Sequence, residues 1–258
     1  MLSRLPRGRT WLAIAAVILV TLSLVPPAGS YARRYVFAES LQFVLFATAV
    51  PALLVLGAPW RLLGLPGLVA GRGLARRPTP RRSAGSGFLR GAAILLAYMG
   101  TLIAWRLPVT VNALATQTGL AVAEMATLAV AGTALWLQLV ESPPLLPRLS
   151  RPMRAVFAAL AMWTIWILAY ILGFSQVAWF RAYAQAGLNP VADQEIATGI
   201  MWAVSACCFV PVVYVTALTW LKDTSDPDEE FRAMVRAQRQ HEGRKWPRPP
   251  RGWNTPSA

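Results

Sequence analysis

The stretch FAESLQFVLFATAVPALLVLGAPW, Phe37 to Trp60, decides the fold class. It is apolar over a length that matches the roughly 20 residues a helix needs to cross a bilayer. It also carries a glutamate and a glutamine, Glu39 and Gln42, one turn apart at its start. Such groups are costly in hydrocarbon and mark a partner, a pathway or a site. Five further apolar runs of comparable character follow or precede it, at about residues 10–25, 88–105, 119–140, 155–174 and 193–221. Only helices fit these lengths, because every backbone polar group in lipid must be satisfied within its own segment. The sequence therefore predicts an all-α, polytopic membrane bundle of about six transmembrane helices over residues 1–222. Residues 223–258 form a charged tail, expected to be largely disordered. Pro51 and Pro211 are expected to bend the second and sixth helices.

Composition agrees. Of 258 residues, 56% are hydrophobic and 14% charged, about half the charged fraction of a soluble protein. The net charge of +14 points to nucleic acid in a soluble domain, but here the basic residues lie between apolar runs, where they orient membrane proteins. A six-span reading puts all but four of the 25 lysines and arginines on one side; Arg33, Arg34, Arg106 and Arg181 fall on the other. That asymmetry predicts both termini in the cytoplasm and a multi-pass protein of the cell (inner) membrane. No nucleic-acid partner is expected. A competing reading of the first span, basic residues followed by an apolar stretch and PPAGS, is a cleaved signal peptide.

With this topology, the ionisable residues at membrane depth collect in the outer half. Glu39 and Gln42 open the second span, Trp105 and Arg106 close the third, and Asp193, Gln194 and Glu195 open the sixth. Glu124 lies about five residues inside the fourth span, roughly 7–8 Å deep at the helical rise. Arg106 is the one cation among these acids, so it is the expected counter-ion of Glu39, Glu124 or both. The plainer reading takes Glu39, Asp193 and Glu195 as interfacial acids at helix N-termini, where they suit the macrodipole.

Familiar chemistries are missing. The single histidine, His241, lies in the tail, so no span carries an imidazole for a metal or a triad. Cys207 and Cys208 are adjacent within an apolar run and make no disulfide framework. Soft copper ligands reduce to Met125, Met201 and Cys208, with Cys207 pointing elsewhere. Met201 and Cys208 share a helix face but stand about 10 Å apart along it. No catalytic residue, no cofactor and no resident metal are expected, and the chain reads as no enzyme.

Several spaced segments resemble the CtaG-type cytochrome c oxidase assembly factors. LVPPAGSYARRYVFAESLQFVLFATAVPALLVLGAPW, Leu24 to Trp60, is similar to the family helix that reads AHMxQHLLLxxxAPLLVLGAP. Trp105-Arg106-Leu107-Pro108 is similar to WHLP, and EMATLAVAGTALW, Glu124 to Trp136, to EHLSFLLAGLLFW. GLNPVADQEIATGIMW, Gly187 to Trp202, is the most specific match. The resemblance covers about residues 11–222 and retains Gln42, Trp105, Glu124, Asp193, Gln194, Met201 and Trp202. It departs where the family has histidines: Glu39 and Phe43 replace one pair, Arg106 replaces the WHLP histidine, and Ala121 and Met125 replace a second pair. The resemblance implies a role in building the copper-containing oxidase, with oxidase subunits or other assembly factors and the lipid bilayer as partners. Copper would come with the family, but the imidazoles are absent, and an ion pair between Glu39 and Arg106 is the expected substitute. A small-solute or ion transporter is the alternative function; it calls for polar or broken-helix residues near the midplane.

Overall fold

A computed structural model describes residues 7–61, 84–143, 145–147, 149–184 and 187–224. The arginine-rich loop, the tail beyond Thr224 and His241 lie outside the described residues. Contacts divide the chain into two units, residues 1–217 and residues 218–258. Five helices are long and apolar enough to cross a membrane, and a shorter apolar helix precedes them. Among the described residues there is no β-strand, only an isolated bridge between Ser142 and Leu145. The chain is a multi-pass helical membrane protein.

Helix α1, Arg7–Leu24, stops at Pro26-Pro27, which cannot continue its hydrogen-bond ladder. The short α2, Ala28–Ala32, leads into α3, Val36–Gly57. Helix α4 is Ala84–Arg106 and α5 is Pro108–Leu114. Pro108 forces Leu107 into an extended conformation, φ −63° and ψ 136°. The long helix therefore ends on Arg106, where a cation suits its dipole. Helix α6 is Thr118–Leu139, α7 is Arg151–Gly173 and α8 is Pro190–Thr224. Asn189 starts α8 by accepting a hydrogen bond from the Val191 N–H at 2.9 Å. Pro211 lies inside α8.

The irregularity in α3 precedes Pro51. Residues Leu45–Ala49 form a π-helical turn, and the Val50 N–H reaches back to the Leu45 carbonyl. Pro51 has no N–H to offer the Ala47 carbonyl. The buried Tyr98 hydroxyl on α4 donates to that carbonyl instead, at 3.4 Å. Helix α6 comes up against the same turn at Gly132, where a Cβ would stand 2.5 Å from the Ala47 oxygen. Helix α1 crosses the other half of α3 at Gly57, whose missing Cβ leaves room for Ala13.

The core holds Phe43, Val44, Tyr98, Leu128, Leu135 and Ile165, all at most 1% exposed. Trp136 and Phe209 stack there with ring centroids 5.3 Å apart. Outward-facing apolar residues such as Leu89, Leu96, Val130 and Tyr214 are exposed, as lipid-facing positions of a membrane helix should be.

Candidate functional site

Glu39 sits in the first turn of α3 and Arg106 at the last residue of α4. Each charge complements the dipole of its own helix, and the two ends meet. The guanidinium grips the carboxylate with two hydrogen bonds, Nη1 to Oε2 at 2.9 Å and Nη2 to Oε1 at 3.0 Å. Nη1 also donates to Ser40 Oγ at 3.1 Å. Glu39 is 3% exposed and Arg106 4%, so the pair is shielded from the screening that weakens exposed ion pairs. The guanidinium carbon lies 3.8 Å from the centroid of the Phe43 ring, a cation–π stack one helical turn below Glu39. Three of the substituted positions, Glu39, Phe43 and Arg106, therefore form one contact unit.

Glu124 projects from α6 beside the pair, its carboxyl adjoining that of Glu39. It is 5% exposed, and its Oε1 has no hydrogen-bond partner. Next to it opens a pocket of about 220 Å³ between α1, α2, α3, α5 and α6. Ala121 and Met125, the two remaining substituted positions, line it together with Glu39 and Gln42. All five positions that the family resemblance sets against histidines thus meet in one place. The donor set does not fit copper. The pocket offers one thioether and no imidazole, and no cluster of three His, Cys, Asp or Glu exists among the described residues. Met201, fully buried in the core, and Cys208, half-buried, are not among its walls.

Asp193 has a different task from the interfacial acid of the plainer reading. Its carboxylate is 2% exposed and accepts from the backbone N–H groups of Val36, at 2.9 Å, and Phe37, at 2.8 Å. Residue Tyr35, at the N-cap of α3, has no side-chain cap bond, so α8 supplies the cap from outside. This holds the start of α3, and with it Glu39, in place. Glu195, by contrast, is exposed, in keeping with an interfacial residue. Replacing Asp193 with alanine should leave two buried N–H groups without acceptors, at about 1–3 kcal/mol. Thermal unfolding of the detergent-solubilised protein reads this. Asp193→Asn should lose less, since one oxygen remains; an unchanged midpoint in the alanine variant would rule the cap out.

The other sequence-predicted residues lie around the site as supports. Gln42 Nε2 donates to the Ser23 carbonyl, tying α3 to α1. Gln194 is 1% exposed; it donates to the Leu172 carbonyl and accepts from the Trp179 N–H. Trp105 Nε1 donates to Thr127 Oγ1 at 2.9 Å, joining α4 to α6 away from the ion pair. Trp202 Nε1 donates to the Trp166 carbonyl on α7. Ser40 and Phe43 were not expected as partners of Arg106, although Phe43 lies one turn from Glu39 on the same helix face. Asn112 on α5 also escapes a reading by charge: it donates to the Trp179 carbonyl and accepts from the Ala182 N–H, fastening the outer loop. In that loop burial, followed by the charge of Glu39, pushes the Tyr183 phenol up from its ordinary value. It stays a neutral donor to the Val111 carbonyl at 3.4 Å.

No curated protein and no solved structure matches the chain. A family model does, over residues 2–223, and it is that of the cytochrome c oxidase caa3 assembly factor family, Caa3_CtaG. The match takes in both sides of the ion pair and every helix described above but for the last residue of α8. The chain belongs to the Caa3_CtaG family of cytochrome c oxidase assembly factors.

Proposed function

We propose that the protein assists assembly of a terminal cytochrome c oxidase as a scaffold or chaperone in the cell membrane, working at the extracytoplasmic ends of its helices without catalysis and without resident copper. One observation carries this reading. The five positions that the family resemblance sets against histidines converge on a buried ion pair and a pocket, so an ion pair stands where the resemblance implies ligands. Such a chain serves by contact with oxidase subunits or other assembly factors. The positive-inside count, all but four of 25 basic residues on one side, supports cytoplasmic termini and an outward-facing site. Transport is less well supported. The α3 irregularity nearest the midplane, Leu45–Ala49, is sealed by Tyr98 and Gly132 and has no charged residue.

Deleting the gene and recording haem a absorbance and oxidase activity in membranes tests the reading. The expected result is loss of both, restored by the wild-type gene and not by added copper. Unchanged oxidase would overturn the assembly role; full rescue by copper alone would make the protein a copper handler.

A further inference from the structure

Arg33 lines the pocket beside the ion pair, and the assembly reading gives it no task. Its side chain is exposed, and Nη1 donates to Thr118 Oγ1 at 2.7 Å. Most of its N–H donors are left without an acceptor, and among the described residues no carboxylate pairs with it. It is also one of the four basic residues that the positive-inside count puts on the sparse side, where Arg106 is already taken by Glu39. We infer that Arg33 holds the phosphate of an anionic lipid from the outer leaflet, and that the pocket takes the upper part of one of its acyl chains.

The pocket has the size and the walls for a chain. Its volume of about 220 Å³ exceeds that of a cavity of roughly 150 Å³ that takes up benzene. Thr118, Ala121, Val122 and Met125 line it at helical spacing along one face of α6, about 10 Å from first to last at the helical rise. Leu24 and Leu114 add apolar wall. Leu24, at the end of α1, and Val122 are also exposed, so the pocket opens between α1 and α6 and an occupant can enter from the bilayer.

Charge selects the head group. Of the two acids in the lining, Glu39 has both oxygens on Arg106, and Glu124 is hydrogen-bonded to Glu39 with its unpartnered Oε1 buried. Arg33 is therefore the charge that an occupant meets. A guanidinium fork matches two oxygens of a phosphate. The Thr118 hydroxyl, which accepts from Arg33, keeps its own hydrogen to donate. Inorganic phosphate would leave the apolar wall uncovered, and a neutral chain would leave the guanidinium unanswered. The ammonium of a zwitterionic lipid would find no free carboxylate. An anionic lipid satisfies both head site and wall.

The test uses the full chain, purified in an uncharged detergent, with thermal unfolding as readout. n-Hexyl phosphate should raise the midpoint by a few degrees, saturably, as a ligand of the native state does. Inorganic phosphate and n-hexanol at equal concentration should not. Arg33 is exposed, so Arg33→Gln should fold and lose the shift. Ala121→Leu, which fills the pocket and leaves every charge in place, should lose it too. No shift with hexyl phosphate, an equal shift with inorganic phosphate or hexanol, or a shift that survives in either variant would overturn the proposal. A second arm, in phosphatidylcholine nanodiscs, tests the source. Adding phosphatidylglycerol should raise the midpoint and abolish the response to hexyl phosphate; a response that persists undiminished would make the ligand a soluble acid and overturn the lipid assignment. The measurement needs no oxidase, so its failure and that of the assembly reading are distinguishable.

Discussion

Arg106→Ala is expected to destabilise the protein by about 3–5 kcal/mol, the range found when one partner of a buried pair is removed. The cause is the group left behind. Glu39 would keep its place in the first turn of α3, 3% exposed, with both guanidinium bonds gone, only the long Ser40 hydroxyl bond at 3.4 Å left to Oε2, and the Phe43 ring facing a void. Access from the adjoining pocket should bring the loss toward the lower end. Arg106→Lys should fall between, since an ammonium keeps the charge but loses both the two-point grip and the flat stack on Phe43. The double variant Arg106→Ala with Glu39→Gln should recover a large part of the loss, because the stranded charge is gone as well. Pairing Arg106→Ala with Glu124→Gln should recover less, because the guanidinium bonds to Glu39 and not to Glu124. Unfolding midpoints of the wild type, the Arg106, Glu39→Gln and Glu124→Gln single variants and the two doubles, compared as double-mutant cycles, read the coupling. If the Glu39 double is no better than the sum of its singles, the ion pair does not hold the helices together.

Much of this was legible in the sequence, for identifiable reasons. The spans are visible because the bilayer imposes length and apolarity on each segment separately, and their ends agree with the helices to within a few residues. That Arg106 pairs with an acid is visible because it is the one cation among the acids at membrane depth; the residues alone leave Glu39 and Glu124 both open, and the choice of Glu39 comes with the family resemblance. What escaped needed three-dimensional neighbours. Asp193 reads as an acid at the start of its own helix, yet its oxygens cap α3. The only trace in the sequence is the tyrosine at position 35, where a helix that capped itself would carry Ser, Thr, Asp or Asn. Pro51 announces an irregularity, but the π-helical turn before it and the Tyr98 hydroxyl on the freed Ala47 carbonyl involve α4 and α6, some fifty and eighty residues away. The pocket too has no linear signature, since its walls come from five helices.

Gly132 gives the second large effect, because it tests the contact on which the α3 irregularity rests. A Cβ at this position would stand 2.5 Å from the Ala47 oxygen and 2.7 Å from Pro51 Cγ. Both are well inside van der Waals contact, and neither can rotate away: one is backbone and the other belongs to a closed ring. Over-packing of this kind typically costs about 1–3 kcal/mol, and Gly132→Ala should lie at the upper end, with Gly132→Val beyond it. Gly100 on α4 and Gly199 on α8 are internal controls, with nothing within 4 Å of a Cβ. Alanine there should be neutral, or stabilising by up to about 1 kcal/mol, because glycine is the poorer helix former. Pro51→Ala should partly rescue Gly132→Ala: it removes the ring atom at 2.7 Å and returns an N–H that can bond the Ala47 carbonyl. Thermal unfolding of the single and double variants in detergent reads all of this. If Gly132→Ala unfolds at the same temperature as Gly100→Ala, α6 does not press against the π-helical turn. The proline's missing hydrogen bond would then need another explanation than the one Tyr98 and Gly132 provide.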